Sequence, residues 1–146
     1  MGKSFIIILI YADDVIITRT DSDRISKLKL YLDAKFHIKD LGKFKYFLRI
    51  EVARSPTGIA LSQHKYVLDI LAESGLTSCK PANFPMEQQH KLSLDFGEIY
   101  VDPEHYHCLI GRLLYLTITH PNINYAMHYL SQFMDAPRQS HLDVVH

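Results

Sequence analysis

Apolar residues run from Phe5 to Ile10, give way to Asp13-Asp14, and return from Val15 to Ile17. β-Branched side chains dominate both runs, so the pattern predicts two strands folded back through a short polar turn. Thr20-Asp21-Ser22-Asp23 then offers an N-cap with an acid three residues later, followed by Ile25, Leu28, Leu32 and Phe36 at helical spacing. A helix is expected over residues 22–35. Asp40-Leu41-Gly42 breaks that pattern. Tyr46 to Ala53 reads as one strand, Pro56-Thr57-Gly58 as a turn, and Ile59 to Leu61 as the returning strand of a second hairpin. Ser62 is placed to cap a helix carrying Tyr66, Ile70 and Leu71 and ending at Gly75.

From Thr77 to Asp102 no period survives. Pro81, Asn83, Pro85 and Gly97 punctuate a polar stretch longer than an ordinary connection, which reads as a linker. Asp102-Pro103 opens a helix with Tyr106, Leu109, Ile110, Leu113 and Leu116 on its apolar face. His120-Pro121-Asn122 breaks it before a second helix bearing Ile123, Ala126, Tyr129, Leu130 and Phe133, and the two are expected to pack together. After Pro137, residues 140–146 begin another helix that ends below the length at which an isolated helix holds, so a chain truncated at its C-terminus is expected.

The length of 146 residues and the apolar fraction of 47% suit one domain, or a piece of a larger one, and exclude a disordered chain. Sixteen basic and sixteen acidic side chains cancel, which removes the bulk signature of a nucleic-acid binder. Their distribution is uneven, however. Residues 19–54 hold ten Lys or Arg against five Asp or Glu, whereas residues 87–104 hold five acids and one Lys. The first half can meet a phosphate backbone or simply face water. Cys79 and Cys108 are too few for a disulfide scaffold and are expected as free thiols. Residues 1–6 lack the hydroxyl residue of a myristoylation signal, and the apolar run is too short for a secretion signal or a membrane span. A soluble, intracellular protein is expected, with no membrane partner and no address to a compartment.

The chemistry concentrates in the first turn. A strand that delivers Asp13 and Asp14 to its tip and folds back can hold a hard cation, because Mg²⁺ takes one or two carboxylates and fills its octahedron with water and substrate phosphate. The same pair is also ordinary hairpin chemistry, since Asp favours turns. A signalling receiver domain likewise opens on a strand ending in acids, but it needs an Asp ending a middle strand and a helix after it. Here the next strand carries Glu51 and runs into a hairpin. His105, His107 and Cys108 lack a fourth ligand at zinc spacing, and Tyr106, Tyr115, Tyr125 and Tyr129 fall at helical spacing as core residues do.

With these residues in view the whole chain resembles the C-terminal part of the reverse transcriptase of copia-type LTR retrotransposons. Tyr11-Ala12-Asp13-Asp14 is similar to that family's Tyr-x-Asp-Asp catalytic turn, and Lys39-Asp40-Leu41-Gly42 with Lys45-Tyr46-Phe47-Leu48 to its next block. Leu61-Ser62-Gln63 with Lys65-Tyr66, Cys79-Lys80-Pro81, Pro85-Met86, and Tyr106 through Thr117 resemble later blocks in order.

The resemblance implies an α+β fold: a partial polymerase palm over residues 1–62, made of antiparallel hairpins plus a helix, then a thumb-like or connecting helical region over 63–146. It implies RNA-directed DNA polymerase activity by two-metal nucleotidyl transfer, with Mg²⁺ or Mn²⁺ as cofactor. Asp13 would be a direct metal ligand and Asp14 a weaker or more distant one. Tyr11 and Ala12 would border the primer terminus. Tyr46, Leu48 and Arg49 would belong to the hairpin that grips the primer, and one of Lys39, Lys43 or Lys45 would meet the departing pyrophosphate. The implied partners are an RNA or DNA template-primer, deoxynucleotides, and the palm and fingers segment that carries the family's other metal-binding Asp upstream. Without that segment the chain is expected to be inactive alone and to associate with itself. Arg49 stands where the family has Gly, and His120 and Asn122 replace an Arg and an Asp. These departures leave a non-catalytic remnant that binds nucleic acid or protein as the alternative.

Overall fold

The computed structural model describes residues 5–19, 22–86, 92 and 97–145. Strands β1 (Ile6–Tyr11) and β2 (Asp14–Arg19) form a two-stranded antiparallel ladder, in which Ile8 faces Ile17 and Tyr11 faces Asp14. Helix α1 (Ser22–Phe36) follows and packs on β2. The expected cap at Thr20-Asp21 lies outside the described residues; Asp23 occupies the first turn, where an acid meets the positive end of the helix.

The second sheet differs from expectation. The single strand read over residues 46–53 is instead a tight hairpin, β3 (Tyr46–Phe47) and β4 (Ile50–Ser55), joined by Leu48-Arg49. Both turn residues lie in the left-handed region, at φ 48° and 61°, the pattern of a type I′ turn that usually takes Asn-Gly. Leu and Arg give no such signal, which is why periodicity runs straight through the bend. β5 (Gly58–Ser62) completes a three-stranded sheet in the order β3-β4-β5.

Helix α2 (His64–Glu73) starts from an N-cap at Gln63 that makes no side-chain capping bond. Two neighbours serve its free amides: the Ser62 hydroxyl accepts from the His64 N–H at 3.3 Å, and the Glu51 carboxylate accepts from the Lys65 N–H at 3.1 Å. The described part of the expected linker forms one isolated bridge, Ile99 to Arg138. α3 (Pro103–Leu116) begins as its sequence predicts, with the Asp102 carboxylate accepting from the His105 N–H at 3.0 Å. After a 3-10 turn at Pro121–Ile123 come α4 (Asn124–Ser131) and α5 (Gln139–Val145).

The core is helical. Tyr66 and Ile70 of α2, Tyr106, Leu109, Ile110 and Leu116 of α3, Ala126, Met127 and Leu130 of α4, and Leu142 of α5 form one buried cluster. Tyr106 is fully enclosed and donates its hydroxyl to the Leu130 carbonyl at 2.9 Å, so its one polar group is satisfied. Tyr125 is exposed, stacked on Tyr129 with ring centroids 6.5 Å apart. His105 and His107 point to separate partners, the Tyr100 hydroxyl and the Met134 carbonyl. Cys79 and Cys108 are free.

Candidate active site

The β1–β2 turn contains two residues. Ala12, its first central residue, sits at φ 47°, where glycine is the usual occupant of a type II′ turn. The left-handed region crowds Cβ against the backbone and costs an L-residue roughly 1 kcal/mol. Strain therefore sits beside the two acids. Asp13 occupies the turn and Asp14 opens β2; both are exposed, and among the described residues neither carboxylate has a hydrogen-bond or ion-pair partner.

Both acids line a cleft of about 480 Å³. The segment between α1 and β3 also lines it, with Lys39, Asp40, Lys43 and Phe44, as do Lys29 of α1 and Tyr46 and Phe47 of β3. Lys39 and Lys43 have no ion-pair partner among the described residues. Lys29 is engaged. Its ammonium donates to both Asp40 carboxylate oxygens, at 2.9 and 2.8 Å, and the Gly42 N–H donates to one of them at 2.9 Å. The Lys29 hydrogen bond, and then that of Gly42, hold the Asp40 carboxyl below its ordinary range.

Of the residues singled out in the sequence, Asp13, Asp14, Lys39, Lys43 and Tyr46 thus meet in one cleft. Tyr11 and Ala12 adjoin it on the hairpin. Lys45 does not line it, and its carbonyl accepts from the Val52 N–H at 2.7 Å. Leu48 and Arg49 turn the other way. The Leu48 carbonyl accepts the Tyr115 hydroxyl of α3; the Arg49 guanidinium reaches Asp69 of α2 at 3.4 Å and lies over the Tyr66 ring, 5.4 Å from its centroid. The head of the β3–β4 hairpin is fastened to the helices. Burial first, and then the nearby Tyr66, Tyr11 and Tyr46 hydroxyls, push the Tyr115 hydroxyl up.

The sequence reading overlooked Lys29 as a cleft residue and Asp40 as its partner. Asp-x-Gly announces the local turn, since Asp readily accepts from the amide two residues on, but no spacing rule links it to a lysine on the preceding helix.

The profile described as Reverse transcriptase (RNA-dependent DNA polymerase) matches residues 1–88, a segment containing the hairpin and every residue lining this cleft. The chain belongs to the reverse transcriptase family. Among curated relatives of this reverse transcriptase chain, the Retrovirus-related Pol polyprotein from transposon RE1 of Arabidopsis thaliana is 42% identical over 144 residues, 99% of this chain. The corresponding polyprotein from transposon TNT 1-94 of Nicotiana tabacum is 32% identical over 152 residues, 98% of this chain. An uncharacterized mitochondrial protein of A. thaliana is 35% identical over 138 residues, 94% of this chain and 57% of that protein. The chain spans about a tenth of the length of the two polyproteins, 10% of the first and 11% of the second. No solved structure matches it. These relatives support the copia-type resemblance read from the sequence.

The family in general depends on a divalent metal. The donor chemistry here fits part of such a site: two adjacent carboxylates without other partners are the hard oxygen ligands that Mg²⁺ or Mn²⁺ takes. Among the described residues no group of three or more His, Cys, Asp or Glu side chains gathers, and no helix is long and apolar enough to cross a membrane.

Proposed function

We propose that the cleft is part of the nucleotidyl-transfer site of an RNA-directed DNA polymerase. The observation that carries the reading is the meeting of Asp13 and Asp14 with Lys39 and Lys43 across one cleft in a chain of this family. Asp13 is the direct metal ligand and Asp14 the more distant one. A bound divalent ion supplies charge neutralisation at the phosphates of an incoming deoxynucleotide. The chain's own residues do the rest: Lys39 and Lys43 face the polyphosphate with positive charge, and Tyr11 and Ala12 border the primer terminus.

Residues 1–62 act in this reading as palm and residues 63–146 as a thumb-like region along the template-primer. β1 and the facing part of β2 carry apolar side chains on both faces of their ladder, the pattern of a strand inside a larger sheet. In a Pol polyprotein the upstream palm segment, which brings the second aspartate, covers them. Leu48 and Arg49 hold the hairpin head to the helices and leave contact with the primer to Tyr46.

The test is primer extension on an RNA template with deoxynucleotides and Mg²⁺ or Mn²⁺, using the chain alone and joined to the upstream segment of a Pol polyprotein. Extension by the joined protein that disappears in Asp13→Asn is the expected result. Extension that survives the substitution removes Asp13 from the site.

A further inference from the structure

The segment between α1 and β3 begins with His37 in the left-handed region at φ 51°, its N–H donating to the Asp33 carbonyl at 2.9 Å, and runs to β3 without regular structure. Ile38 and Phe44, near its ends, are half-buried, but Leu41 at its middle is 78% exposed. Apolar packing therefore does not fix the arc that carries Lys39 and Lys43. A polar tie does: Asp40, between the two lysines, receives the Lys29 ammonium on both oxygens and the Gly42 N–H on one.

We propose that Lys29 and Asp40 are a positioning pair for the proposed polymerase site, holding the arc against α1 so that Lys39 and Lys43 face the polyphosphate of a nucleotide bound at Asp13 and Asp14. The inference rests on the reading of that cleft as a nucleotide site. It goes further by assigning work to two cleft residues whose charges are spent on each other. Asp40 also occupies the ammonium of Lys29, which lines the same cleft. An ion pair this exposed adds little to folding, because water screens it and ordering two long side chains offsets the attraction. Its effect falls on the placement of the lysines, where order in the free protein lowers the entropy lost on binding.

The experiment titrates Mn²⁺ with deoxyadenosine triphosphate into the chain joined to the upstream segment of a Pol polyprotein, read by the electron paramagnetic resonance of free Mn²⁺, alongside thermal unfolding. The wild-type chain is expected to bind, and Asp13→Asn to lose the complex. Asp40→Asn and Lys29→Met are expected to weaken it about 3- to 10-fold with an unchanged melting temperature, as a placement effect of this size would. Lys29→Arg, which keeps the ion pair, is expected to stay within about twofold of wild type. If Asp13→Asn loses the complex while Asp40→Asn and Lys29→Met bind as wild type does, the positioning pair is overturned and the site reading stands. Weakening matched by a lowered melting temperature, or absent rescue by Lys29→Arg, also overturns it. If the wild-type chain takes up no Mn²⁺-nucleotide, the site reading and the positioning pair fall together.

Discussion

The β1–β2 hairpin and the helices from His64 onward draw on the same apolar side chains and use them in opposite ways. In the helices the large residues converge: Tyr106, Ile110 and Leu130 are almost wholly enclosed. In the hairpin every side chain from Phe5 to Tyr11 remains 38% to 68% exposed, because a two-stranded ladder has two faces and α1 packs chiefly on β2. Backbone pairing gives the hairpin its shape, and close packing gives the helices their stability. The carboxylates are borne on the part with the weaker hold.

The sharpest test of this contrast truncates one apolar side chain in each part. Ile110→Ala is expected to cost about 2–5 kcal/mol in urea unfolding followed by circular dichroism, since it leaves a cavity the helices cannot close. Leu9→Ala in the hairpin is expected to cost less than about 1 kcal/mol, as exposed sites do. Comparable losses at the two positions would break the contrast.

A second test uses pH. Burial pushes the Tyr106 hydroxyl up to about 12, above its ordinary value near 10, so folding favours the protonated form. That contribution, roughly 2–3 kcal/mol, is fully present below pH 10 and is lost as pH rises toward 12. Melting temperature is expected to fall across that window, and Tyr106→Phe to flatten the fall while lowering stability at neutral pH by removing the hydroxyl's hydrogen bond to the Leu130 carbonyl. An alkaline fall unchanged by the substitution would assign it to another group.

The hairpin answers to a different measurement. A long apolar strand with a free edge and no charge invites pairing with another chain, so the protein is expected to self-associate. Ile7→Lys with Leu9→Lys is expected to shift sedimentation toward monomer and leave helical melting within about 0.5 kcal/mol. A wild-type chain that sediments as a single monomer would show the exposed faces to be harmless.

The smallest effects compare the two strained turns. Ala12→Gly is expected to slow amide exchange in the hairpin by the equivalent of less than about 1 kcal/mol, because glycine takes positive φ freely. Arg49→Gly gains the same ease but gives up Asp69 and the Tyr66 ring, so a net change near zero is expected. A clear stabilisation at both positions would mean that the Arg49 contacts contribute nothing.

The same contrast separates what could be read in the sequence from what could not. The start of α3 was legible to the residue, since Asp102-Pro103 is a local start signal acting on its own amides. α1 was legible from periodicity to within a residue of its end. The β3–β4 bend was not, because Leu48 and Arg49 adopt a conformation their types disfavour and are held there by Tyr115 and Asp69 from distant helices. The family's glycine at the position of Arg49 was the available signal for a left-handed turn. For the cleft, Asp13 and Asp14 were visible as a strand-turn pair. The nearness of Lys39 and Lys43 came only through the family resemblance, and the Lys29–Asp40 tie left no trace in periodicity, because a contact between a helix and the loop after it follows no repeat.

The fastening of Leu48 and Arg49 has a mechanical consequence. With one helix gripping a carbonyl of the turn and another its guanidinium, the small sheet is tied to both helices where the rings of Tyr66 and Tyr115 meet edge to face. A shift of either helix would therefore be felt at β3, and so at Tyr46 in the cleft, ahead of the separate hairpin bearing Asp13 and Asp14.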